Sequence, residues 1–177
     1  MSYFIRRMVR AARLEANLYA EVKADRNATG QAIAVVALSS IAAGAGSIPR
    51  GGPAGIAVST VSALISWFIW SLLVYVIGTK VLPEPRTGSD FPAVLRAAGF
   101  AAAPGLIRAL GVIPGVTAFV FLVAAFWMIA AMVIAVRQAL DYGSSWRAAA
   151  VSVLSWLIQA LITGGLMYMA QGPMVQK

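Results

Sequence analysis

One arginine, Arg108, stands within the apolar run from Ala97 to Ile113, between Pro104 and Pro114. A charge near the centre of a membrane helix costs about 2.5 to 3.5 kcal/mol on insertion scales, and intramembrane charges usually mark a functional position. Its chemistry has three readings. The guanidinium can hold a substrate or lipid headgroup, bond a buried structural partner, or snorkel to the loop at Gly111 to Gly115 about one turn away. The short distance makes snorkelling the expected account. Around Arg108, Arg96, Gly99, Phe100, Pro104 and Gly105 are the other candidate functional or packing residues. A second set lies at the N-terminus. Arg6, Arg7, Arg10 and Arg13 cluster on one face of Ser2 to Tyr19, opposite Ile5, Met8, Val9, Ala12, Ala16 and Tyr19. That is the pattern of an amphipathic interfacial helix, whose arginines meet anionic lipid headgroups for about 1 kcal/mol each close to the surface.

Much chemistry is missing. The chain has no histidine and no cysteine, so a Ser-His dyad, an HExxH zinc site and thiol chemistry are ruled out. The acids Glu84, Asp90 and Asp141 fall in loops, which leaves no facing carboxylate pair inside the membrane. Gly51-Gly52-Pro53-Ala54-Gly55 reads as a turn and not as a phosphate cradle, having no lysine after it. No enzyme activity, metal or cofactor is expected.

The elements that position these residues are membrane spans. Hydrophobic residues make up 60% of the 177 and charged residues 11%, and mean hydropathy is +0.83, far outside globular usage. The expected fold is an all-α integral membrane protein with five transmembrane helices. A cytoplasmic segment, residues 1–29, precedes a domain at 30–177 with spans near 30–48, 54–79, 97–113, 115–136 and 148–169. The first span is rich in Ala, Ser and Gly, which lets backbones approach closely. Arg50 to Pro53 forms a tight turn, and Trp67 and Trp70 read as packing residues. Tyr142 and Trp146 stand where an aromatic belt would be. The third span is the exception. Its seventeen residues make roughly 25 Å of helix, slightly short of a bilayer core. Pro104 removes a hydrogen bond and predicts a kink near Phe100 to Pro104, and Ala101 with Gly105 forms a small-xxx-small pair. A re-entrant third element, leaving four full spans, is the alternative geometry.

The net charge of +8 follows from loop asymmetry and does not call for nucleic acid. With the N-terminus inside, Arg6, Arg7, Arg10, Arg13, Lys23, Arg26, Lys80, Arg86, Arg96, Arg137 and Arg147 share that side, against Arg50 and Lys177. The positive-inside rule therefore predicts a cytoplasmic N-terminus and an external C-terminus.

Leu95-Arg96-x-x-Gly99-Phe100-x-x-x-Pro104, Ile77-Gly78-Thr79 and Ala135-Val136-Arg137-Gln138-Ala139-Leu140 resemble the Yip1 domain in its bacterial form. The resemblance implies a five-helix protein of the bacterial cytoplasmic (inner) membrane. Eukaryotic relatives are linked to vesicle traffic and prenylated small GTPases. They carry Asp-Leu-Tyr-Gly-Pro before the first span, where this chain has Asn17-Leu18-Tyr19-Ala20-Glu21, so GTPase binding is not carried over.

The function expected is that of a structural or interaction module, binding other membrane proteins, itself or lipids, as an accessory subunit of a larger complex. One alternative is transport of an ion, solute or lipid through the proline-broken third helix. The other is membrane shaping by the N-terminal helix.

Overall fold

The computed structural model describes residues 2–46 and 52–171, all of them helical or in short connections. Of the turn expected from Arg50, Arg50 and Gly51 lie outside the described residues, as does the tail bearing Lys177, whereas Gly52 to Gly55 belong to the first turn of a helix. Two short helices, α1 (Tyr3–Ala12) and α2 (Ala16–Ala24), precede five long elements. Ser2 caps α1, its Oγ accepting from the Ile5 amide. The single helix expected to Tyr19 is broken in two because Leu14 takes a left-handed conformation, φ 61°, which an α-helix cannot continue through.

The five long elements are each apolar and long enough to cross a membrane. They are α3 (Ala28–Gly46), α4 (Gly52–Val76) with a π-helical turn Ile77–Val81, and a two-part third element. α6 (Thr117–Ala139) and α7 (Ser145–Gln171) complete the set. The third element consists of α5 (Phe91–Phe100) and a 3₁₀ helix (Ala103–Val112). It begins six residues before the expected start at 97 because Asp90 caps α5, its carboxylate accepting from the Ala93 amide at 2.8 Å.

The break falls at Ala101-Ala102, beside Pro104 as expected. Ten α-helical residues rise about 15 Å and ten 3₁₀ residues about 20 Å, so the tighter, more extended winding supplies the length that a helix over 97–113 would lack. The element traverses the bundle and is not re-entrant. Its start joins the loop 82–90, and its far end meets Gly46 and hands over to α6, where Thr117 Oγ1 donates to Gly111 O at 2.7 Å.

The third element is the centre of the bundle. Of its membrane window 67% is buried, against 33% or less in the other four. α3 runs parallel to it in close backbone contact. A Cβ built on Gly99 would lie 2.7 Å from Ala32 Cβ, one on Gly105 2.2 Å from Ser39 Oγ, and one on Gly46 1.8 Å from Arg108 O. Ala32, Ser39 and Gly46 recur every seven residues, two turns of α3, so one small-residue face meets the third element along its length. At the opposite edge α4 and α7 pack together through Trp70 and Trp156, ring centroids 5.9 Å apart. Beyond that stack, residues 157–169 of α7 are almost entirely exposed, as is most of α4 from Ala54 to Ser66.

Candidate functional site

The intramembrane centre is built on the 3₁₀ winding. At three residues per turn, positions three apart eclipse, and Ala102, Gly105, Arg108 and Gly111 align. The face presented to α3 therefore repeats every third residue, and the expected Ala101/Gly105 pair at a spacing of four is replaced by Gly105 and Gly111. Arg108 does not reach outward past the loop. Its Nε donates to Gly105 O at 3.0 Å, and its Nη2 donates to Ser39 O at 3.0 Å and Ser39 Oγ at 2.7 Å. A methyl on Gly105 would sit 2.2 Å from Ser39 Oγ and 2.7 Å from Arg108 Nη2, displacing the bond between them. Pro104 is buried beside it and Phe100 is fully buried, so these two residues pack the break.

Arg108 also lines a cavity of about 560 Å³ between the α3–third element pair and the α4–α7 pair. No carboxylate lies within ion-pairing distance of it among the described residues. Trp67 and Trp70 line the same space, and the indole Nε1 of each is buried without a hydrogen-bond partner. The two tryptophans are thus packing residues, as expected, but each carries an unused donor. A buried donor left unmade costs about 1–3 kcal/mol. Gln159 Nε2 donates to Ser66 O at 3.2 Å and ties α7 to α4 at the rim.

Arg96 has a different role. Fully embedded at 5% exposure, it donates from Nε to Val22 O at 3.0 Å and from Nη2 to Lys23 O. A guanidinium at the end of α2 satisfies the carbonyls that terminate the helix and complements the negative end of its dipole. Arg96 therefore anchors the N-terminal segment to the central helix.

The N-terminal arginines separate into two pairs. Arg7 is 2% exposed and forms ion pairs with Glu21 and Asp25, both at 2.8 Å, and it donates to Gln31 Oε1 at 3.1 Å. Arg10 pairs with Glu15 at 2.9 Å and Glu21 at 2.6 Å. Arg6 and Arg13 are exposed. The helix periodicity places all four together, but the break at Leu14 folds α2 back so that its acids take Arg7 and Arg10. Burial pushes the Glu21 carboxyl upward, yet hydrogen bonds from Arg10, Tyr3 and Arg7 outweigh it and hold the group at about 2. The hydrogen bond from Arg7, followed by that from the Asn27 amide, likewise lowers Asp25. Trp127 Nε1 donates to Ala12 O at 2.7 Å and fixes the end of α1 against α6.

At the same end the connections are knitted together. Lys23 pairs with Asp141, Glu84 accepts from the Gly143 amide at 2.8 Å, and Arg147 donates to Pro83 O at 3.2 Å. Tyr142 is buried, its hydroxyl within hydrogen-bonding distance of Gly78 O (2.8 Å) and Leu82 O (2.7 Å) across the π-helical turn. It is an internal clasp and not part of an aromatic belt, whereas Trp146 is 83% exposed. Sequence reasoning missed this clasp, because its partners are main-chain carbonyls about sixty residues away.

Three sequence signatures thus sit at defined joints. Gly99 meets Ala32, Gly78 would direct a Cβ to within 2.4 Å of Leu140 Cδ1, and Arg96 clamps α2. Among the described residues no group of acids could hold a metal ion. Neither the curated proteins nor the solved structures offer a match to the chain. The family model of the Yip1 domain matches residues 16–167, which take in α2 and nearly all of the five spans. A match of that extent, over a five-span helical bundle, makes this chain a member of the Yip1 domain family.

Proposed function

We propose that this Yip1-domain protein is a non-enzymatic interaction module of the bacterial inner membrane, receiving a helix of another membrane protein or of a second copy as part of a larger complex. The observation that carries the reading is a small-residue surface on the uncovered halves of α4 and α7. Gly55, Ser59 and Ser62 share one face of α4, and a Cβ on Gly55, Gly164 or Gly165 would meet nothing within 4 Å. Apolar area is as well solvated by lipid tails as by another helix. Small side chains give an advantage only where a second backbone comes close.

The clustering of Lys23 at the end of α2 with the loops 82–90 and 137–147 supports a cytoplasmic face at that end under the positive-inside rule. Arg6 and Arg13 remain available there to anionic headgroups, while Arg7 and Arg10 are engaged internally.

The test uses Gly55→Ile and Gly164→Ile, both in open space and neither lining the Arg108 cavity. The expected outcome is unchanged thermal stability of the purified protein with loss of the proteins, or second copy, that copurify from native membranes in mild detergent. An unchanged set of copurifying proteins for both variants, or a monodisperse, partner-free wild type at native expression level, refutes the reading.

A further inference from the structure

The cavity beside Arg108 combines features that none of the packing roles above requires. It narrows to buried walls at Trp70, Ala98 and Ala102 and widens to exposed ones at Ser66, Ala160 and Thr163, so it opens on the exposed side of α4 and α7. At about 560 Å³ it is in the range of sites that bind small molecules. Ser40, Ser66, Gln159 and Thr163 also line it, but its one charge and its buried side-chain groups without a partner are donors. Arg108 employs Nε and Nη2 on Gly105 and Ser39 and leaves Nη1 without a partner. Trp67 and Trp70 hold two further N–H groups without acceptors, and Trp70 is 3% exposed. No acid lines the space, and the rest of its wall is largely Ala, Val, Met and Trp ring.

We propose that this cleft is a binding site for a lipid with an anionic head, entered sideways from the bilayer, with Arg108 neutralising the head and the tryptophan-lined wall receiving the start of the acyl chain. A cation without a counter-charge and donors without acceptors complement a phosphate or carboxylate. An open apolar wall suits the tail and not a free ion. The proposal stands independently of the interaction surface on Gly55 and Gly164.

The full-length protein in detergent is titrated with short-chain phosphatidic acid, short-chain phosphatidylcholine and inorganic phosphate, and binding is read as saturable thermal stabilisation. Phosphatidic acid is expected to bind about tenfold or more tightly than phosphatidylcholine, and inorganic phosphate to give no comparable shift. Arg108→Gln should weaken phosphatidic acid by about tenfold or more, and Trp70→Phe, which keeps the ring stack and removes the N–H, by about threefold or more. Ala160→Phe, at the mouth, should block it. Arg6→Gln with Arg13→Gln should leave it unchanged.

Equal affinity for phosphatidylcholine overturns the anionic requirement, and equal affinity for inorganic phosphate overturns the lipid. Loss of binding in the Arg6/Arg13 variant, with Arg108→Gln unaffected, assigns the effect to the protein surface and refutes the cleft. If Arg108→Gln does not fold, Trp70→Phe and Ala160→Phe decide alone, and unaltered binding in both refutes the site.

Discussion

Gly99→Ala is the substitution on which local preference and tertiary packing disagree in sign. In an isolated helix alanine is better than glycine by up to about 1 kcal/mol. Here the added methyl would lie 2.7 Å from Ala32 Cβ and 3.1 Å from both Ala32 Cα and Ala32 O. Main-chain atoms cannot swing aside as a flexible side chain can, so α3 and α5 must separate. Overpacking costs about 1–3 kcal/mol; with main-chain atoms as the obstruction the upper half, about 2–3 kcal/mol, applies, leaving a net loss of about 1–2 kcal/mol after a helix preference of about 1 kcal/mol is credited. For a chain of this size that lowers the midpoint of thermal unfolding by about 2–8 °C, measurable by tryptophan fluorescence in detergent. Ala32→Gly removes the nearest obstructing atom, so the double variant should recover part of the loss, with a coupling of about 0.5–3 kcal/mol. A Gly99→Ala protein as stable as the wild type, or a double variant whose losses simply add, would show that α3 and α5 do not meet as described.

Two further outcomes follow from the N-terminal anchor. Glu21 is held at about 2, below the ordinary glutamate value of 4.5, so between these values the unfolded chain binds more protons and stability rises with pH. The docking of Tyr3–Ala24 should therefore be fully present above about pH 5 and fade toward pH 2; hydrogen exchange of that segment against pH reads it, and Glu21→Gln should flatten the profile. Arg96→Met should strand the buried Val22 carbonyl and the part-buried Lys23 carbonyl at the end of α2, at a cost of about 1–3 kcal/mol for the buried one. Its expected signature is faster exchange across Ala16–Ala24 with α3 unchanged, and unaltered exchange in α2 would refute the clamp.

The span count, the small-residue character of α3 and the break beside Pro104 were legible because each is local: composition, hydropathy and one missing amide fix them. The fate of the arginines was not. Arg7 looks like Arg6 on a helical wheel, and only the reversal at Leu14 brings Glu21 and Asp25 to one and not the other. Arg108 was read by its distance along the chain to the nearest loop, which suggested snorkelling, but its bonds go to Ser39, sixty-nine residues away. Nor does any residue announce 3₁₀ winding; Pro104, Gly105 and Gly111 permit it, and the close approach of α3 selects it.

That winding ties length to rotation. Returned to α-helical geometry, the ten residues Ala103–Val112 would shorten by about 5 Å, and Arg108 would turn about 60° relative to Gly105, away from Ser39. The hydrogen bonds from Arg108 to Ser39 therefore suit the 3₁₀ register and not the α-helical one, and with the close approach of α3 they favour the extended length of the element.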